Sequence, residues 1–164
     1  MTRRANLPNS NLANANLSDD DFSDANFSGA DLSRALLRKT DLHRANLTAT
    51  DLRNDDLRDA DMTDAQLAEA HLEEADLKGA NLTDANLQGA FLHAADLRET
   101  DLTNANLAGA DLTEANLAGA KLDQIGSLAG ANLRRARGLS AAQRQLWSTK
   151  WAIVDEEPSS AGDQ

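Results

Sequence analysis

Carboxylates are the most abundant reactive groups in this chain. Its 164 residues carry 27 Asp and Glu against 16 Lys and Arg, with three His and no Cys, for a formal net charge of −11. Such acids, stacked in columns, could collect Ca²⁺ or Mg²⁺, but a rigid ladder at ~4.8 Å offers few convergent oxygens per ion. The lack of Cys removes disulfides, thiolate metal sites and Cys nucleophiles. His43, His71 and His93 stand singly, and a Ser-His-Asp set found in so Ser- and Asp-rich a chain would mean little. The expectation is therefore a protein that is not an enzyme, with no catalytic residue, no cofactor and no metal. Its acidity argues against nucleic acid and anionic membranes as partners and in favour of basic protein surfaces. No apolar run is long enough to span a membrane, and Met-Thr-Arg-Arg-Ala-Asn-Leu-Pro lacks the apolar stretch of a signal peptide, so a cytoplasmic location is expected.

A repeat positions these acids. Leu, Ile, Val and Phe total 32 residues, under one fifth of the chain, which by composition alone belongs to disordered proteins. Their placement says otherwise. From Leu7 to Leu122 every fifth residue is Leu, Phe or Met, for 24 positions without a miss. Two residues earlier, Ala fills 18 of the 24 sites. One residue earlier, Asp or Asn fills 19, and the departures are Leu36, Gln66, His71, Phe91 and Lys121. The unit is Ala-(Asp/Asn)-Leu-x-x.

A period of five fits neither the helix nor the strand. Two or three extended residues and a tight turn bend a chain through roughly a right angle, and Asn, Asp, Gly and Ser are turn residues. Four corners close a square coil of about 20 residues, and stacked coils pair at the ~4.8 Å spacing of neighbouring strands. Leu and Ala then point inward. Gly79, Gly89, Gly109 and Gly119 fall at corners, where a positive φ is useful.

This pattern resembles the pentapeptide repeat family over about 130 of the 164 residues. The resemblance implies an all-β fold, a right-handed quadrilateral β-helix of about six to seven coils, with a short C-terminal capping α-helix. It also implies two kinds of role. Quinolone-resistance members are DNA-shaped dimers that occupy the DNA-binding saddle of gyrase or topoisomerase, whereas the regular Ala-(Asp/Asn)-Leu type is similar to many bacterial members with no assigned activity.

The boundaries read as an N-terminal tail over 1–4, a solenoid over 5–138, a helix over 139–154 and a disordered tail over 155–164. At Ile125-Gly126-Ser127 the frame slips by one residue, since Leu128 and Leu133 resume the spacing one position late. Ser140 is a fitting N-cap. Leu139, Ala142, Leu146, Trp147, Trp151 and Val154 then recur at helical spacing, as a cap over the open tube end requires. Leu146, Trp147, Trp151 and Val154 are the candidate cap and homodimer contacts.

With 20 residues per coil, the outward positions sort into four faces. The first, through Leu7, has a net charge of −1 and an amide column of Asn6, Asn26, Asn46, Gln66, Asn86 and Asn106. The second, through Leu12, sums to −4 and places His71 beside Phe91. The third, through Leu17, sums to −2 and alternates Arg38, Arg58, Lys78 and Arg98 with Asp56, Asp76 and Asp96. The fourth, through Phe22, sums to −7; Asp21, Asp41, Asp61, Asp101 and the parallel Asp24, Asp64, Asp84 make it the candidate binding face, with Arg44 as nearly the sole nearby base. The functional expectation is an acidic protein-binding scaffold. The alternative is a DNA-mimicking partner of gyrase or another type II topoisomerase that protects it from antibiotics.

Two acids fall on inward sites. Asp20 lies near the open N-terminal end, where relief by solvent is expected. Asp55 lies mid-tube, where backbone N–H partners or a local distortion are expected.

Overall fold

A computed structural model describes residues 4–149 and 152–155. Its repeating element is a five-residue side. The residue before each leucine forms a parallel bridge to the residue 20 positions on, as in Asn6 to Asn26, Asn26 to Asn46 and Asn46 to Gln66. After each leucine comes a two-residue corner, closed by an N–H from the Ala site to the leucine carbonyl, as from Ala30 to Phe27 (2.9 Å). The second corner residue has a positive φ, which together with this bond is the pattern of a type II turn.

That corner geometry is built mostly without glycine. Asn9, Asp24, Arg44, Ala49 and Glu99 are among 19 described non-glycine residues with φ between 53° and 63°. Each left-handed residue costs about 1 kcal/mol. Ladders of three bonds per regular side, at 2.7–3.1 Å, offset that cost coil after coil.

The core is one column of leucines with alanines between them. From Ala25 to Leu117 the Leu and Ala sites are almost wholly removed from solvent. At the N-terminal end Leu7, Leu12, Leu17 and Phe22 are only partly buried, and Phe22 packs edge-on against Phe27, ring centroids 5.2 Å apart. Polar residues at inward sites find backbone partners. Thr40 donates to the Leu17 carbonyl at 2.9 Å, Thr50 to that of Phe27 at 2.8 Å, and Thr100 to that of Leu97. Asp20 is exposed near the tube end.

The ladder offset changes from 20 at Asp101–Lys121 to 21 at Asn106–Ser127. The extra residue sits at Gly126, where the N–H groups of Gly126 and Ser127 both point to the Ala105 carbonyl (3.0 and 3.3 Å), two residues opposing one. A Cβ on Gly126 would lie 2.4 Å from the Asn104 carbonyl oxygen, so only glycine fits.

The C-terminal region differs from the expected helix over 139–154. The helix α1 spans Ala141–Thr149, opened by a capping box in which Ser140 Oγ accepts from the Gln143 N–H (3.2 Å) and Gln143 accepts from the Ser140 N–H (2.9 Å). The chain then returns to the ladder. Ile153 donates to Ala131 and accepts from Leu133, both at 2.7 Å. Ala152-Ile153-Val154 is thus a degenerate repeat unit, with Ala152 buried, Ile153 in the Asp/Asn slot and Val154 in the leucine slot. The exposed ladder edge and two β-branched residues favour a rung over two more helical turns.

Among the four expected cap residues, Trp147 is 4% exposed and joins the core. Leu146 is 49% exposed, so it does not cover the tube. Its place on the helix turns it outward while Trp147, one residue on, turns in. Val154 is partly buried but belongs to the returning rung. Trp151 lies outside the described residues, as does the expected tail beyond 155.

Candidate functional site

The residue before each leucine builds the corner that follows. At 19 corners among the described residues its Oδ1 accepts the N–H two residues on, at 2.9–3.3 Å. Asn6 lacks this bond because Pro8, two residues on, has no N–H. At six described corners a Ser or Thr hydroxyl two residues on also donates to the same oxygen, as Ser23 does to Asp21 (2.7 Å) and Thr63 to Asp61 (2.6 Å). This is an Asx turn, and Asp and Asn perform it equally well.

The fourth face brings the expected acids together. Asp21, Asp41, Asp61, Asn81, Asp101 and Lys121 bridge in one register. Asp24, Arg44, Asp64 and Asp84 share the left-handed corner beside it. Arg44 is less alone than the sequence suggests. It grips Asp24 through two bonds of 2.8 Å, and Arg4 adds a contact at 3.2 Å. Lys121 reaches Asp101 at 2.7 Å. The Arg44 bond holds Asp24 below the usual carboxylate range. The Ser23 hydroxyl does the same for Asp21. Lys121, then Thr103, take Asp101 down to about 2. Asp41, Asp61, Asp64 and Asp84 have no ion-pair partner among the described residues. They form the unneutralised centre of the face.

The other faces spend their polar groups internally. On the third, Arg58 pairs with Asp56 (2.5 Å) and Asp76 (3.4 Å), Arg98 with Asp96 (2.5 Å), and Lys78 with Glu99 (3.3 Å). These arginines pull Asp56 and Asp96 below their ordinary range. On the first face, amides bond vertically from Asn26 to Asn6 (3.0 Å) and from Asn106 to Asn86 (3.2 Å); Gln66 accepts from Asn86 (3.3 Å) but donates to the Asp64 carbonyl, so the run is interrupted only between Asn46 and Gln66. On the second, the His71 and Phe91 rings stack 4.7 Å apart at 11°.

Asp55 is the one carboxylate drawn into the tube. It is 1% exposed; its Oδ1 accepts the Ala35 N–H at 2.9 Å and its Oδ2 has no partner. Burial pushes its pKa up to about 8 against the pull of the Ala35 bond. Asp55 has no substrate-sized space beside it in this filled core, so it is a structural oddity rather than a reactive site.

Among the described residues, no three His, Asp or Glu converge as metal ligands, and no helix is long and apolar enough to cross a membrane. No curated protein matches the chain at a significant level. Solved structures do. A pentapeptide repeat protein of the Arabidopsis thaliana thylakoid lumen is 32% identical over 72% of this chain and 82% of its own, with a TM-score of 0.52. One from Nostoc is 31% identical over 64% and 84%, with a TM-score of 0.54. HetL, a Nostoc pentapeptide repeat protein involved in heterocyst differentiation regulation, is 34% identical over 91% and 68%, with a TM-score of 0.42. The family model for pentapeptide repeats matches in eight copies over residues 18–59, 60–98 and 92–125. With its period of five, its 20-residue rungs and these matches, the chain belongs to the pentapeptide repeat family.

Proposed function

We propose that this protein is a non-enzymatic scaffold whose fourth face docks a basic protein surface. The observation that carries this reading is the segregation of Asp from Asn. The corner accepts either residue, as Asn46 and Asp61 show with the same 3.1 Å bond. The first face uses Asn and Gln throughout, while the fourth places Asp at four of its six sites, Asp21, Asp41, Asp61 and Asp101, with Asn81 and Lys121 at the others. Like charges on paired rungs cost stability, and the corner bond does not require them. The test is a titration with a fluorescent oligolysine peptide. Changing Asp41, Asp61, Asp64 and Asp84 together to Asn is expected to weaken binding about tenfold while the fold persists. Unchanged affinity would contradict the reading.

A second reading is supported by charge spacing. Residues 5–124 carry a net −14. Over six rungs at ~4.8 Å that is about one charge per 2 Å, close to the one per ~1.7 Å of duplex DNA. In this reading the protein is a DNA mimic that dimerises through its C-terminal region and occupies gyrase or another type II topoisomerase. Leu146 and Ile153, 49% and 41% exposed, offer the apolar contact. Gyrase supercoiling should then be inhibited at low salt and less so at high salt, and inhibition should be lost with Leu146→Arg. Full supercoiling at both salts would eliminate this reading.

A further inference from the structure

The second face departs from the repeat's own rule at two successive rungs. His71 and Phe91 stand where the corner wants Asp or Asn, so the corner bond that Asp51 and Asp111 make on either side is missing at both. In return, Phe91 is left 40% exposed with its ring flat on His71. The exchange gives up two corner bonds for one aromatic stack that leaves Phe91 in solvent.

The two ends of this aromatic pair are unlike. Below His71 lies Asp51, whose carboxylate is gripped by the Arg53 guanidinium through bonds of 2.9 and 2.5 Å. That pairing of an aspartate with the arginine two residues on recurs at Asp56–Arg58 and Asp96–Arg98. Above Phe91 lies Asp111, where the residue two on is Thr113. Thr113 serves Oδ1 alone, and Asp111 has no ion-pair partner among the described residues. The 40% exposed Phe91 ring and the Asp111 carboxylate on the next rung stand side by side on the surface. Glu73, held to His71 at 3.2 Å, and the exposed Glu74 lie on the His71 rung, below Phe91. The adjoining corner is bare, with Gly89 and Gly109 in line and no atom within 4 Å of a Cβ placed on Gly109.

We infer that the exposed Phe91–Asp111 pair receives an arginine of a protein partner. Its guanidinium lies on the free face of Phe91 and bonds Asp111, completing at the upper end the Asp–Arg pair that Arg53 already supplies at the lower. The inference shares with the scaffold reading only the idea that the tube docks protein; its site is a different face. The probe is a fluorescent Gly/Arg peptide with three arginines, measured by anisotropy at about 0.15 M NaCl. Phe91→Asn and Asp111→Asn place the repeat's own residue at each site, so both fold, and each is expected to weaken binding about tenfold. The matching Gly/Lys peptide should bind more weakly to the natural protein. The pair Asp41→Asn with Asp61→Asn, on the fourth face, should change affinity for the arginine peptide less than about twofold. Undiminished binding by Phe91→Asn, or an equal loss from the fourth-face pair, would overturn the inference. Loss of oligolysine binding at the fourth face with intact arginine binding here would separate the two docking claims.

Discussion

Asp55→Ala is expected to stabilise the protein by roughly 2–4 kcal/mol at pH 7.5, equivalent to about 6–12 °C in Tm. The natural carboxyl sits among Leu and Ala side chains with one oxygen unpartnered and a pKa raised to about 8. Unfolded, it has the ordinary value of 3.8. Between those values the folded state holds a proton that the unfolded state has lost. Stability from this group is therefore fully present below pH ~4 and falls as pH rises toward ~8. Alanine, the residue at 18 of the 24 equivalent sites, has no such dependence. The Ala35 N–H keeps its turn bond to the Leu32 carbonyl at 2.8 Å when Asp55 is removed. Melting both proteins at pH 5 and pH 8 checks this. The gap should widen with pH; a gap that is constant or narrows would refute the burial account.

Gly138→Ala should destabilise by about 3 kcal/mol or more, because two constraints coincide there. Its φ is +84°, and an added Cβ would meet Ala118 N at 2.3 Å, Ala118 Cα at 2.5 Å and the Leu117 carbonyl carbon at 2.7 Å. All three are backbone atoms of the rung below and cannot swing aside. Gly138 is where the chain leaves the last regular side to begin the capping helix. Gly109→Ala is the control. It shares the left-handed φ, at +69°, but meets no atom within 4 Å, so only the conformational cost of about 1 kcal/mol applies. Thermal melts and tryptophan fluorescence report the difference. Equal losses from the two changes would mean that the Ala118 contact is not limiting.

The tube was legible because its rule is one-dimensional. Leu7 to Leu122 gives register, inward face and coil length at once, and the same arithmetic places Arg4, Arg44 and Lys121 20 residues from Asp24 or Asp101. Those pairs are legible in the 20-residue columns, and the fourth face's net charge of −7 conceals them. The corner bond left a fainter mark: Ser or Thr often stands two residues after the Asp, as at Asp21–Ser23 and Asp61–Thr63. The C-terminal segment misled because Leu146, Trp147, Trp151 and Val154 carry helical spacing while Ala152-Ile153-Val154 also fits the repeat. Helical periodicity is local, whereas the ladder bonds of Ile153 come from Ala131 and Leu133. No local window reveals that an open edge waits there.

The central claim is that the fourth face carries charge which its corners do not need. Thermal melting of the protein with Asp41, Asp61, Asp64 and Asp84 changed to Asn, against the natural chain, at about 20 mM and about 0.5 M NaCl, tests it most directly. The Asn form should melt several degrees higher at low salt and level with the natural protein at high salt. An Asn form that melts lower at low salt would show that these carboxylates serve the fold, and would contradict the account.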